Sequence, residues 1–298
     1  MRKIPSAVAT VVALAAIALG GCAMPDPTPG KIDVVAAFYP LQFLAEEIGG
    51  DHVAVTNLVK PGAEPHDLEL SPKQVAAIAG ADLVLYLHTL QPSVDDAVKM
   101  EASGRALDVT KIAPLGPAPA GSDEPDALDP HIWLDPVRFA AISHEVADRL
   151  AAVDPAHAAD YQANEARLAA QLHDLDQRYA AGLANCARQD IVTSHAAFGY
   201  LAARYRLHQV PITGLAPEAE PNPRTLADVA KLARAKGVTT IFFETLVSPK
   251  LAETLAHEVG AQAQVLDPIE GIEPGSGATY LTVMNDNLAH LRAALGCI

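Results

Sequence analysis

The chain has 298 residues, with 21 basic and 36 acidic side chains and a formal net charge of −15 at pH 7. So acidic a chain argues against nucleic acid as a partner, because nucleic-acid binding needs a basic patch. Half of the residues are hydrophobic, which allows a substantial core within the globular range. The length suits two ordinary domains.

The N-terminal segment has the pattern of an exported chain. A short basic start precedes an apolar run of 13 residues, 7–19. This run is shorter than the ~20 residues that span a bilayer and has the length of a signal-peptide core. The small residues before Cys22 resemble the lipobox of bacterial lipoproteins. We predict a signal peptide over residues 1–21, a lipid on Cys22 and a proline-rich tether over residues 22–31. The alternative is an ordinary signal peptide with an incidental cysteine.

Export also bears on the remaining cysteines. If Cys22 carries lipid, Cys186 and Cys297 are left, and thiols outside the cytoplasm usually pair. We therefore predict a disulfide between these two, with two separate buried thiols as the alternative. The protein is expected to be extracytoplasmic and anchored to the cell membrane by the lipid on Cys22.

The first half of the mature chain alternates between short apolar runs and helical patterns. Four runs are typical of strands: residues 33–39, 52–59, 81–87 and 106–110. Ser71 followed by Pro72 is typical of a helix N-cap and the first helical position. Strands that alternate with helices indicate βαβ units and a parallel sheet.

The second half repeats this order of elements without repeating the sequence. Its strand-like runs are residues 190–194, 208–215, 239–245 and 263–267. Pro211 lies inside the second run and predicts an edge strand, because proline cannot donate to a central ladder.

The segment between the halves shows helical periodicity almost throughout. Pro155 interrupts it once, and the following run over residues 156–185 would be about 45 Å long as a helix. We interpret it as a linker helix between two lobes, with a helical hairpin as the alternative. The predicted domains are an N-terminal α/β lobe (32–154), the linker helix (155–185) and a C-terminal α/β lobe (186–298).

Four side chains follow predicted strands. His66, His131 and His195 each come after one, and Asp267 ends the last. Ligands of open parallel sheets bind outside the carboxyl ends of the strands, so two facing lobes can bring these groups together. Three imidazoles and a carboxylate suit a tetrahedral zinc ion. By pattern alone, hydrogen-bonded surface or cap residues remain the alternative, because no local zinc motif is present.

Five segments, taken in order, carry a specific resemblance. They are PGAEPHDLELSP, DPHIWLDP, TSHAAFGYLAARY, FFETLVSPKLAETLAHEVG and VLDPIEG. Together they resemble the signatures of the zinc/manganese-binding lipoproteins, the solute-binding proteins of bacterial metal ABC importers. The resemblance runs from Ile32 to Ala294. It implies two similar α/β lobes, each a mostly parallel sheet flanked by helices, joined by one long linker helix, with the metal site in the cleft.

The resemblance also implies a function, the delivery of Zn²⁺ to an ABC permease subunit in the membrane. The implied metal ligands are His66, His131 and His195, with Asp267 as the fourth. Glu244 is expected to hydrogen-bond a ligand histidine, with capping of the next helix as its alternative role. Three imidazoles favour zinc, and Mn²⁺ is the competitor. The protein is expected to be a monomer and not an enzyme.

Two other functions remain open, besides an adhesin or metal-sequestering surface protein, which the same fold could support. One is a manganese- or iron-binding member of the same family. The other is a zinc-dependent hydrolase, which needs an open coordination position. No general base occurs at motif spacing, since His144 and His257 begin HExxH-like segments that lack the second histidine. The acidic loop, residues 116–130, has no histidine, unlike the histidine-rich loop of many zinc-type members.

Overall fold

Four short parallel strands in the first half of the chain form one sheet. They are β1 (Ile32–Ala36), β2 (Val53–Asn57), β3 (Leu83–Tyr86) and β4 (Ala106–Asp108), in the order β2-β1-β3-β4. The connecting helices are α1 (Tyr39–Gly49), α2 (Pro72–Gly80) and α3 (Pro92–Glu101). Ser71 caps α2 in a capping box with Gln74, as predicted. Neighbouring Val34 and Val35 of β1 are both buried, which is typical of a strand covered on both faces.

The structure is a computed structural model that describes residues 30–118 and 127–298. The predicted signal peptide (1–21), the lipidated Cys22, nearly all of the tether and residues 119–126 of the acidic loop lie outside these ranges. Across the two described ranges, every helix is too short or too polar to cross a bilayer.

Two packed helices follow the first sheet. They are α4 (Pro136–Val153) and α5 (Ala158–Gly182), and Pro155 lies in the short turn between them. The 25 residues of α5 correspond to about 37 Å of helix. Helix α5 packs against α4 and α1 on one side and continues to the C-terminal lobe, where it contacts the last helix. The predicted long helix between the lobes is confirmed, and it is also one arm of a helical pair.

The second sheet has the same strand order as the first. Its parallel strands are β5 (Asp190–Thr193), β6 (His208–Pro211), β7 (Thr240–Phe243) and β8 (Gln262–Val265), in the order β6-β5-β7-β8. The helices are α6 (Gly199–Tyr205), α7 (Pro223–Lys236), α8 (Lys250–Val259) and α9 (Tyr280–Leu295). Pro211 lies in an edge strand, as predicted. Two similar lobes with parallel sheets are therefore confirmed.

The last helix, α9, ties the end of the chain to both lobes. At its start, the Tyr280 hydroxyl donates to the Trp133 carbonyl oxygen at 2.6 Å, and the Tyr280 N–H donates to the Tyr39 hydroxyl at 3.1 Å. Beyond its end, Cys297 forms a disulfide with Cys186, which confirms the predicted pairing. The larger buried apolar cluster accordingly contains residues of both lobes and of α5.

Candidate metal site

Three histidines and one glutamate converge at one point in the structure. His66 follows β2, His131 follows β4, His195 follows β5 and Glu270 follows β8. Each offers one ligand atom, and the four atoms all lie within 4.8 Å of one another. All four residues follow the carboxyl ends of strands, two in each half of the chain, as the strand-end argument predicts.

The spacing of these atoms matches a tetrahedral metal site. Glu270 Oε1 lies 3.1 Å from His131 Nε2 and 3.3 Å from each of His66 Nε2 and His195 Nε2. The Nε2 atoms of His131 and His195 are 3.3 Å apart. A tetrahedron with metal–ligand bonds of 2.0–2.1 Å has edges of roughly 3.3 Å. Four of its six edges are therefore already at the length that a zinc ion would require.

Two of the histidines are oriented by carboxylates behind them. His131 Nδ1 donates to Asp129 Oδ1 at 2.7 Å, and His195 Nδ1 donates to Glu244 Oε1 at 2.6 Å. Because a carboxylate only accepts, each Nδ1 carries the shared proton and each Nε2 faces Glu270. This is the usual arrangement of metal-ligating histidine. The hydrogen bond expected for Glu244 is thus present.

The aspartates of the two Asp-Pro pairs around His131 have different structural roles. Asp129 accepts both the backbone N–H of His131, at 3.0 Å, and its ring proton. Asp135 caps α4, accepting the N–H of Val137 at 2.9 Å. Asp129 is not among the site residues predicted from the sequence, although its position two residues before His131 is a usable signal.

His66 lies on the more accessible side of the site. Its side chain is 11% exposed, against 0% for His131 and His195. Both oxygens of Glu64 accept its backbone N–H at 3.0 Å, and Glu64 Oε1 lies 3.9 Å from its Nε2. Burial raises the pKa of Glu64. A second carboxylate therefore lies next to the most exposed of the three histidines.

The electrostatics of the site favour protons or cations. Burial opposes ionisation of Glu270, but hydrogen bonds from His131 and His195 outweigh it and lower its pKa well below the ordinary value. Burial likewise opposes a charge on His195, but Glu244 outweighs it and raises the pKa to about 10. The His131 pKa is also raised, with Asp129 overcoming burial. A metal ion must therefore displace protons from the histidines.

Asp267, predicted as the fourth ligand, does not join this group, and the fourth convergent side chain is that of Glu270. Asp267 Oδ1 accepts the N–H of Ile269 at 2.7 Å, and Oδ2 accepts the Thr245 hydroxyl at 2.9 Å. Two residues beyond β8, Asp267 still lies beside the end of β7. Glu270, three residues further and with a longer side chain, reaches the histidines. Burial raises the pKa of Asp267 to about 6.

The fold and the convergent side chains define the class of metal-binding solute-binding proteins. The chain belongs to the ZnuA family, zinc-uptake complex component A, periplasmic, whose sequence model matches residues 34–294.

This chain covers different shares of its named relatives. The zinc-binding protein AdcA of Streptococcus pyogenes serotype M6 is 35% identical over 287 residues, covering 88% of this chain and 56% of AdcA. This chain thus spans about half of the length of that relative. The high-affinity zinc uptake system protein ZnuA of Bacillus subtilis is 34% identical, covering 91% of this chain and 89% of that protein.

A solved structure of a relative supports the same fold. The crystal structure of Zn(II)-bound AdcA from Streptococcus pneumoniae superposes with a TM-score of 0.77 at 34% identity. The match covers 89% of this chain and 58% of that one.

Proposed function

We propose that this protein is an extracytoplasmic zinc-binding lipoprotein that delivers Zn²⁺ to an ABC permease subunit in the membrane. The observation that carries the proposal is the convergence of three Nε2 atoms and one Glu270 oxygen at tetrahedral spacing. Membership of the ZnuA family and the zinc-binding names of the relatives support it.

Zinc is the proposed ion because of the donor set. His66, His131 and His195 supply nitrogen, and Glu270 supplies the one oxygen. Imidazole suits zinc, whereas manganese prefers carboxylate, carbonyl and water oxygens. The divalent affinity order also places zinc above manganese at nitrogen sites.

Carriage, rather than hydrolysis, is the proposed role of the metal. A catalytic zinc keeps one coordination position for water, while a closed set of four protein ligands does not. Glu270 would supply the fourth ligand here, and its side chain is only 1% exposed. We place the ion between the two lobes, because each lobe supplies two of its ligands, and we propose that Cys22 carries the lipid anchor of a monomer.

The test is a competition titration with a chromogenic chelator, combined with elemental analysis of the purified protein. Wild type should bind one zinc ion, and His131→Ala should lose more affinity than the ~10–100-fold that follows loss of an outer-shell partner. His208→Ala is the matched control, since its side chain is 66% exposed on the edge strand β6. Wild-type protein without stoichiometric zinc binding would overturn the proposal.

Delivery is tested in cells. A strain lacking this protein should grow poorly in chelator-treated medium and recover when zinc, but not manganese, is added back. Wild-type protein should restore growth, and the His131→Ala variant should not. Normal growth of the deletion strain under zinc limitation would contradict the transport role.

A further inference from the structure

Building on the proposed zinc site, we propose that Asp267 is a positioning residue. Its carboxylate holds a strained turn through Pro268 and Ile269, and this turn delivers Glu270 to the three histidines. Asp267 thus contributes to metal binding through Glu270, without contact to the ion.

The strain lies at Ile269. Its φ is +59°, in the left-handed region that β-branched residues rarely adopt. The side chain is fully buried, so the residue cannot relax into solvent. A backbone conformation of this kind persists only where the surrounding structure over-determines it, and such positions cluster at functional sites. Ile269 immediately precedes Glu270.

Hydrogen bonds from three directions hold the turn. Asp267 Oδ1 accepts the Ile269 N–H at 2.7 Å, and Oδ2 accepts the Thr245 hydroxyl at 2.9 Å. Asn287 of α9 accepts the Asp267 N–H at 2.9 Å and donates to the Asp267 carbonyl oxygen at 2.7 Å. Trp133 Nε1 donates to the Pro268 carbonyl oxygen at 2.7 Å.

Asp267 is the member of this network that bonds inside the turn. The other partners hold the backbone of Asp267 or Pro268 from outside, whereas Asp267 Oδ1 fixes the N–H of Ile269 itself. This side chain-to-backbone bond two residues ahead is the Asx-turn pattern. Without this hydrogen bond, we expect Ile269 to return to a negative φ. That change would turn the side chain of Glu270 away from the histidines.

The experiment compares Asp267→Ala, Asp267→Asn and Glu270→Gln, with zinc affinity measured by chelator competition. Asp267→Ala should weaken zinc binding by about 10-fold or more, the range for outer-shell partners. Asp267→Asn should stay close to wild type, because the amide oxygen can accept from Ile269 and the amide nitrogen can donate to Thr245. If Asp267 were instead a direct ligand, both Asp267→Ala and Asp267→Asn should weaken zinc binding strongly.

A double variant separates positioning from general destabilisation. In the Glu270→Gln background, adding Asp267→Ala should lower zinc affinity by a further factor of about two or less, because Asp267 acts on the metal through Glu270. The visible spectrum of Co²⁺-loaded Asp267→Ala should shift toward that of Co²⁺-loaded Glu270→Gln. Asp228→Ala, an exposed change on α7, is the control.

The outcomes distinguish the two proposals. Wild-type protein that fails to bind zinc overturns the proposed function. If wild type binds zinc and Glu270→Gln weakens it, then unchanged binding in Asp267→Ala overturns the positioning role alone. Equal loss in Asp267→Ala and Asp267→Asn, or full additivity with Glu270→Gln, also overturns it.

Discussion

Trp133 Nε1 donates a hydrogen bond of 2.7 Å to the carbonyl oxygen of Pro268. The single tryptophan of the chain thereby joins the segment that carries His131 to the turn that carries Glu270. Its ring also lies 5.2 Å from the His131 ring, centroid to centroid. Two of the convergent side chains, one from each lobe, are thus connected through one buried residue.

Tryptophan fluorescence should therefore report metal binding. Trp133 is buried beside His131, so exchange of a ring proton for a metal ion changes the charge next to the indole. We expect the emission intensity to change with added zinc and to saturate at one equivalent. His131→Ala keeps the tryptophan and should show little change. A constant emission spectrum during stoichiometric zinc uptake would contradict the expectation.

Zinc binding should release protons. Glu244 raises the pKa of His195 to about 10 against the effect of burial, so His195 is protonated at pH 7 in the metal-free protein. Zinc must displace that proton, and affinity should fall as the pH is lowered. Calorimetric titrations in buffers of different ionisation enthalpy should show at least one proton released per metal. Glu244→Gln should release fewer, and identical apparent enthalpies in all buffers would refute the coupling.

Breaking the disulfide should cost stability but not metal binding. Cys186 and Cys297 are 111 residues apart, so the chain-entropy contribution is roughly 4–5 kcal/mol. Neither cysteine belongs to the convergent group. Denaturant unfolding of metal-free protein should show a lower free energy of unfolding for the double Cys→Ser variant, while zinc affinity stays near wild type. A large loss of affinity would show that the disulfide also shapes the site.

Metal preference should follow the donor at position 195. His195→Glu replaces one nitrogen by a carboxylate, giving two nitrogen and two oxygen donors, which suits manganese better than the wild-type set. Competition titrations with both ions should show a reduced preference for zinc over manganese. His208→Glu makes the same change at an exposed position and should leave the preference unaltered. An unaltered ratio in His195→Glu would contradict a ligand role for His195.

Intact-mass analysis and membrane fractionation test the proposed lipid anchor on Cys22. Mature wild-type protein should begin at Cys22, carry the added mass of a lipid and fractionate with membranes. Cys22→Ser should leave the precursor uncleaved or release the protein from the membrane. An unmodified Cys22 in the mature wild type would refute the anchor.

Local patterns were sufficient to predict most of the fold. The Ser71–Pro72 pair predicted the start of α2, and Pro211 predicted the edge strand β6, because capping and the missing proline N–H act over a few residues. The periodicity of residues 156–185 predicted the long helix, with its bounds displaced by two or three residues. His66, His131 and His195 could be assigned to one site because strand ends of parallel sheets face a common edge.

The fourth member of the group required the tertiary structure. Asp267 and Glu270 lie in the same short segment, and proximity to the strand end favoured Asp267. The choice depends on the left-handed turn at Ile269, which is maintained by Thr245, Asn287 and Trp133. These contacts join residues 20 or more positions apart in the chain. Local sequence determines helices, strands and caps, but the direction of a side chain after a strained turn is decided by distant groups that fix the backbone.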